Sequence, residues 1–477
     1  MTRREFVAAA VAAGVTPGWL AAVLGRAEAG ELPNFGIPFA DVTPYSGGMK
    51  GGWWRGNMHV HSYRSDGKAF PTEVAALYRR EGMHFLGLSD HNVAQEDKHV
   101  SPVMKWGMRP DFLIPAGKLP KDKVARFEAT FPELKPIRVK NAEGEFFRLR
   151  TFDEMAKLLD EKGRFLLLSG NELTFTGYAD NFHANVINTR GDCLAKTGHQ
   201  TPGDAVDDLI AQARKLVGTD PLDSIFTLNH PHWLWFDVPP DLAVERPGIR
   251  FFEVSNTSSG NMLPPPEKAL TIDRWWDVVN TRRALAGQPL IYGMGSDDTH
   301  DYDPFYIRKG LRMSYCVVRA PELSRKALFE AMYRGDFYAS TGVTLDEVRF
   351  DAAARTLFVK VAPKAGETYV IRFVGSRKGV NANPVETYEV KPPESWLKTN
   401  KGYRGRIWRG KKTRRVDVYA PELGMTFKET EGTDASYTMT ADDLYVRAKV
   451  FVKNPEGLEE VTPPRVPVAW TQPVLNR

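Results

Sequence analysis

His59 and His61 stand two residues apart at the end of an apolar run. On an extended strand alternate side chains point to one face, so both imidazoles can reach a single metal ion. One His-x-His pair is a weak signal, because a surface strand can carry one by chance. The rest of the chain adds to it. Asp66 follows in Ser65-Asp66-Gly67, His91 in Ser89-Asp90-His91, Glu172 in Gly170-Asn171-Glu172, and His183 a little later. Asn229-His230-Pro231-His232 and Asp297-Asp298-Thr299-His300 complete the series. Asp298 and His300 repeat the same-face spacing of His59 and His61. Pro231 biases His230 toward an extended backbone, which would align His230 with His232.

The elements that must carry these residues are short apolar strands alternating with amphipathic helices. Strands are expected over 54–60, 85–89, 165–169, 184–188, 225–228, 249–254 and 290–293, and helices over 72–80, 152–161, 205–215 and 271–279. This alternation predicts an α/β domain with a mainly parallel sheet. Seven strands in that length suggest a barrel more than an open sheet. The chemical residues cluster at strand ends, which hold seven of the chain's ten histidines. In barrel enzymes the C-terminal strand ends form the active-site face. No glycine-rich nucleotide fingerprint follows a strand, which argues against a nucleotide-binding fold. Residues 92–151 are too long and too proline-rich for a connection, and are expected to form an insertion over the site's mouth. After residue 342 the pattern becomes alternating strands and Gly/Pro/Asn turns, expected as a β-sandwich-like domain over 343–477. Residues 401–415 are basic, with Tyr403 and Trp408 among them. They are read as a solvated hairpin, so no dedicated nucleic-acid binding is expected.

The ordered set of HxH, SDG, SDH, a lone Glu, a His, NHP and a closing DxH resembles the polymerase-and-histidinol-phosphatase (PHP) superfamily of metal-dependent hydrolases. The likeness covers residues 53 to about 342. Tyr445-Val446-Arg447 and Ala469-Trp470-Thr471-Gln472-Pro473 are similar to a secreted branch that includes carbaryl-hydrolase-type esterases. The resemblance implies a distorted (β/α)7 barrel with two or three metal ions. It places His59, His61, Glu172 and Asp298 on one metal. Glu172 would bridge to a second, with His183 and His230, and Asp66, His91 and His300 would hold a third.

Imidazole and carboxylate ligands without thiolate suit zinc, manganese or iron(II) and fit calcium poorly. Such ions acidify a shared water, which can attack phosphorus or a carbonyl carbon near neutral pH. Asp298 is expected to accept or relay the proton. His232 is expected to protonate the leaving group or bind substrate, although packing is as good an account of it. Arg64 could meet an anionic substrate or form a loop salt bridge. Asp90 and Glu253 are expected to orient ligands. Asp297 is expected beside the ligands or facing solvent. The substrate is expected to be a phosphomonoester or phosphodiester. The alternatives are a carboxylester, carbamate or amide, or a non-catalytic exported protein that binds metal or glycan.

The bulk properties fit a folded enzyme. The chain has 477 residues, is 42% hydrophobic, and carries a formal charge of +5, too small for a dedicated polyanion binder. Thr2-Arg3-Arg4-Glu5-Phe6-Val7, an apolar stretch and Ala27-Glu28-Ala29 resemble a twin-arginine signal peptide over 1–29. Export to the periplasm or outside the cell is therefore expected, with no membrane span after cleavage. Cys193 and Cys316 are read as free thiols.

Overall fold

The structure, a computed structural model, describes residues 38–47, 50–93, 112–174, 182–189, 191, 201–218, 220–231, 238–258, 270–307, 311, 313–391, 414–461 and 464–477. The expected leader, His232, Cys193 and nearly all of the basic stretch 401–415 lie outside the described residues.

The strands that carry the site are β1 (Gly52–Asn57), β2 (Phe85–Gly87), β3 (Leu166–Leu168), β4 (Gly170–Thr174), β5 (His183–Ile187), β6 (Ile225–Leu228), β7 (Phe251–Asn256) and β8 (Tyr292–Ser296). β4, β6, β7 and β8 are buried along their whole length. Burial on both faces is why β6 and the start of β7 read as apolar runs, while the polar residues of β4 and β7 fall where the site is built. The intervening helices include α1 (Pro71–Arg80), α2 (Lys121–Thr130), α3 (Phe152–Leu159), α4 (Pro202–Leu216) and α5 (Ile272–Leu285). α3 starts at a capping box in which Thr151 and Glu154 satisfy each other's amides. α4 does the same with Thr201 and Asp204.

The molecule is mixed α/β, but the expected seven-fold barrel is not one closed ladder. β1, β2 and β3 are parallel neighbours in one sheet. β4 to β8 form a second sheet, antiparallel between β4, β5 and β6 and parallel from β6 to β8. The reason for the break lies at β1. Its other edge is filled from Gly52 to Gly56 by an antiparallel strand, β9 (Tyr315–Ala320), so β8 cannot pair there. At the rim the two sheets are joined by isolated bridges at Val60–Thr299 and His91–Glu172. The His59 carbonyl accepts from the Asp298 amide (2.8 Å) and the Thr299 carbonyl from the His61 amide (3.0 Å). The rim is thus closed where the body below is wedged open.

Residues after 342 are β-rich as expected, and their strands fall in more than one sheet. β11 (Leu345–Asp351), β12 (Thr356–Val361) and β15 (Asp434–Thr438) make a separate sheet. β13 (Tyr369–Arg377), β14 (Met425–Glu431), β16 (Asp443–Val452) and β17 (Val468–Thr471) instead extend the sheet of β1 through β10 (Phe337–Ser340) and β9. One hydrophobic core runs through both regions, from Val60 and Leu86 to Val348, Ile371 and Ala448. A buried ion-pair group fastens α5 to β16. Arg447 meets Asp277 at 2.7 Å and Asp273 at 3.1 Å, and Lys449 meets Asp273 at 2.9 Å.

The described part of the insertion folds as α2 and a three-stranded sheet of Leu113–Pro115, Ile137–Asn141 and Gly144–Arg148. Lys123 and Arg126 of α2 contact Asp303, three residues past His300, at 3.1 and 2.6 Å.

Candidate metal centre

The rim brings nine of the expected ligand residues together. Three overlapping groups have ligand atoms close enough to hold ions: His61, Asp66, His91 and His300; His59, His61 and Asp298; and His91, Glu172 and His183. His61 and His91 each belong to two groups, so the three form one continuous cluster. Glu172 lies at its middle. Its carboxylate is 3.2 Å from His59 Nε2, 3.4 Å from His61 Nε2, 2.8 Å from His91 Nδ1, 3.0 Å from His183 Nδ1 and 3.6 Å from His230 Nε2. His300 Nε2 lies 3.1 Å from Asp66 Oδ1, and His61 Nε2 lies 2.9 Å from Asp298 Oδ1.

Each side chain is aimed by a partner behind it. The Glu253 carboxylate takes His59 Nδ1 at 2.6 Å, which leaves Nε2 facing the cluster. Asp90 accepts from the Ser62 amide (2.7 Å), the Ser62 hydroxyl (2.8 Å) and the Ser65 hydroxyl (2.7 Å), and so shapes the loop between His61 and Asp66. Gly67 lets that loop turn back, because a Cβ there would lie 2.4 Å from the His61 carbonyl. Two ligand positions have strained backbones: φ is 52° at Asp298 and 26° at His230. The extended conformation expected of His230 ahead of Pro231 is therefore overturned. Glu253 Oε2 accepts from its amide at 2.8 Å and holds the turn in place.

Asp297 and Asp298 divide their roles clearly. Asp297 is buried away from solvent and accepts from the Tyr78 hydroxyl (2.8 Å) and the Thr257 hydroxyl (3.0 Å). Burial pushes its carboxyl up to about 7. Burial also acts on Asp298, but the neighbouring His59 and His61 overcome it and hold the carboxyl well below its ordinary range. Glu172 is held low in the same way by His91, His59 and His183. His61 is pushed down to about 4 by burial and by His300 and His91, so it is neutral and able to ligate.

Arg64 is fully buried rather than open at the cluster's mouth. Its guanidinium stacks 4.1 Å from the Phe112 ring centre and donates to the Arg150 carbonyl, tying the insertion to the ligand loop. His232 lies outside the described residues. Thr174 and Asn229 were not expected here. The Thr174 hydroxyl is 2.5 Å from His91 Nδ1, and Asn229 Nδ2 donates to Glu172 Oε1 at 2.9 Å. The signal for Thr174 was its place two residues after Glu172, on the same strand face.

The donors fit divalent cations. Six imidazoles and three carboxylates converge, and among the described residues no thiol joins them. Cys316 is buried and faces the Gly295 carbonyl at 3.6 Å. His59 Nε2 and Glu172 Oε2 are buried without a well-formed hydrogen bond, although opposite charges surround both. Lone pairs that converge without pairing are what a cation site needs.

No protein-family profile matches the chain, and no curated protein matches it. Among solved structures, it is similar to a two-domain protein from Bacteroides vulgatus with a predicted PHP-like metal-dependent phosphoesterase. The identity is 13%, with 91% of this chain and 97% of the other covered and a TM-score of 0.38. A candidate metal-dependent phosphoesterase from Bifidobacterium adolescentis covers 51% of this chain and 87% of its own, at 13% identity and a TM-score of 0.24. An amidohydrolase from Chromobacterium violaceum covers 52% and 88%, at 13% and 0.24. The chain is similar to PHP-type metal-dependent hydrolases.

Proposed function

We propose that this protein is a hydrolase that uses two or three divalent cations, zinc, manganese or iron, to cleave a phosphoester. The supporting observation is the continuous cluster around Glu172, in which His61 and His91 each serve two ligand groups. Bound there, the cations would acidify a water and stabilise charge developing on the substrate's oxygens. The protein's own contribution is arrangement. Glu253 fixes the His59 tautomer, and Asp90 fixes the loop that presents His61 and Asp66. Asp298 lies at the junction of His59 and His61, where it can take a proton from the attacking water. The His300 side chain keeps 31% of its surface exposed, so the cluster opens to solvent on that side. His232 remains our candidate for the leaving-group proton.

A phosphoester is favoured by charge. Three ligand carboxylates do not neutralise two or three divalent cations, so the loaded centre stays positive and suits an anionic group. A neutral carboxylester or carbamate is the second reading, since the same water serves it. Twin-arginine export to the periplasm or beyond belongs to the proposal through residues 1–29.

Metal analysis together with hydrolysis of p-nitrophenyl phosphate, bis-p-nitrophenyl phosphate and p-nitrophenyl acetate tests this. Metal retention with turnover of either phosphate supports it. Turnover of the acetate alone moves the assignment to the second reading. Stoichiometric metal with no turnover of any of the three would leave a binding protein.

A further inference from the structure

The parallel strands have a second functional end. At the N-terminal ends of β7 and β8, away from the ligands, lies a cavity of about 110 Å³. Thr43, Arg250, Gln288, Tyr292 and Arg477 are among its lining residues, and Asp41 stands at its edge. Arg250 is only 3% exposed. Its guanidinium lies 3.8 Å from the Tyr292 ring centre and donates to the carbonyls of Leu290 and, at 3.4 Å, Tyr333. Its Nε is buried without a hydrogen-bond partner. None of the described carboxylates pairs with it; burial works against its charge, the Tyr292 and Tyr333 phenols favour it, and Arg477 repels it.

Arg283 is also fully buried. It donates to the carbonyls of Pro289 (3.1 Å), Ala243 (2.7 Å) and Arg246 (3.1 Å), and its Nε has no partner. Arg477 donates to the carbonyls of Ala40 (2.9 Å) and Asp41, with the exposed Asp41 carboxylate 3.8 Å away. A guanidinium stays charged at any ordinary pH, and a buried charge without a counter-charge is costly. Carbonyl dipoles offset part of that cost. An anion would offset more. The cavity's size is right, since roughly 150 Å³ admits a six-carbon ring and a phosphate group is smaller.

We propose that this cavity binds a small oxyanion, a phosphate or carboxylate group, between Arg250 and Arg477. The site is separate from the metal centre and does not depend on what that centre hydrolyses.

Calorimetric titration with inorganic phosphate, and in parallel with acetate, tests this on four proteins: the wild type, Asp298→Asn, and Arg250→Gln and Arg477→Gln each made in the Asp298→Asn background. The aspartate variant weakens anion binding at the metal centre and leaves the cavity intact. Binding by one of the two anions should persist in Asp298→Asn and weaken at least tenfold in both arginine variants. Whichever anion binds identifies the group recognised. The proposal is overturned if Arg477→Gln in that background binds as tightly as Asp298→Asn alone, or if Asp298→Asn binds neither anion. Arg477 is half exposed, so its variant decides the matter even if Arg250→Gln does not fold.

Discussion

Glu253 holds four groups at once: His59 Nδ1, the His230 amide, Asn256 Nδ2 at 2.9 Å and the Ser296 hydroxyl at 2.5 Å. A glutamine cannot accept from all of them. Glu253→Gln should therefore lower metal affinity and activity by about 10–100-fold, the range for partners that orient metal-bound histidines. Competition against a graded chelator measures it. His59→Ala removes a ligand outright, and it should lose bound metal on elemental analysis and fall to background turnover. Glu73 gives a pH signature away from the metals. Burial pushes its carboxyl up to about 7, against hydrogen bonds from Tyr306 and the Phe70 amide. In the unfolded chain it ionises near 4.5. Between those values the unfolded chain gives up its proton while the folded chain keeps it. Stability therefore falls as pH rises from 4.5 to 7, by on the order of 3 kcal/mol, and levels off above. Glu73→Gln should flatten that part of the melting-temperature profile. At this scale the sequence was informative about ligands, because imidazoles and carboxylates at strand ends have few other uses. It said less about partners such as Thr174, marked only by its place two residues after Glu172, since its hydroxyl matters only through the His91 ring beside it.

The insertion shows what an element adds. α2 reaches back to Asp303, and Lys68 joins the same bracket through Asp301 at 2.7 Å. These partners follow directly on His300. Exposed ion pairs of this kind contribute little to stability, about 0–1 kcal/mol each. The double change Lys123→Ala with Arg126→Ala should accordingly shift the melting temperature by only a few degrees. Its larger effect should be on kcat/KM, through a loosened His300 and Asp66; equal kinetics in wild type and variant would mean the bracket does not position them. α4, expected from residue 205, begins earlier at Pro202 behind the Thr201–Asp204 capping box, while the start of α3 at Phe152 was legible. The turn at His230 was not, because Pro231 argues for extension and only Glu253, 23 residues away, overrides it.

Across the whole molecule, the order of elements was readable and their pairing was not. Strand–helix alternation implies parallel strands, and β6, β7 and β8 obey it. No local pattern announces that β9 will run antiparallel along β1, or that strands near residue 450 will continue the same sheet, since both are settled by contacts far apart in sequence. The Arg447–Asp277–Asp273 group rests on that shared architecture. Arg447→Met leaves the buried Asp277 carboxylate without its ion-pair partner, while Asp273 keeps Lys449, and should cost about 3–5 kcal/mol, seen as a lower midpoint in urea. A chain ended at residue 342 would expose the β10 edge that β17 covers, and it should be recovered as aggregate.

The Gln472 side chain grips both the amide and the carbonyl of Gly293, each at 2.8 Å, inside the strand that leads to Asp298. The Gln472 backbone amide also donates to the Tyr45 hydroxyl, 427 positions earlier in the chain. The rim that gathers these side chains is therefore braced by a clasp that closes only after residue 472 has been made. Its final packing becomes a late event in the protein's life, one that a nascent chain cannot complete before that residue leaves the ribosome.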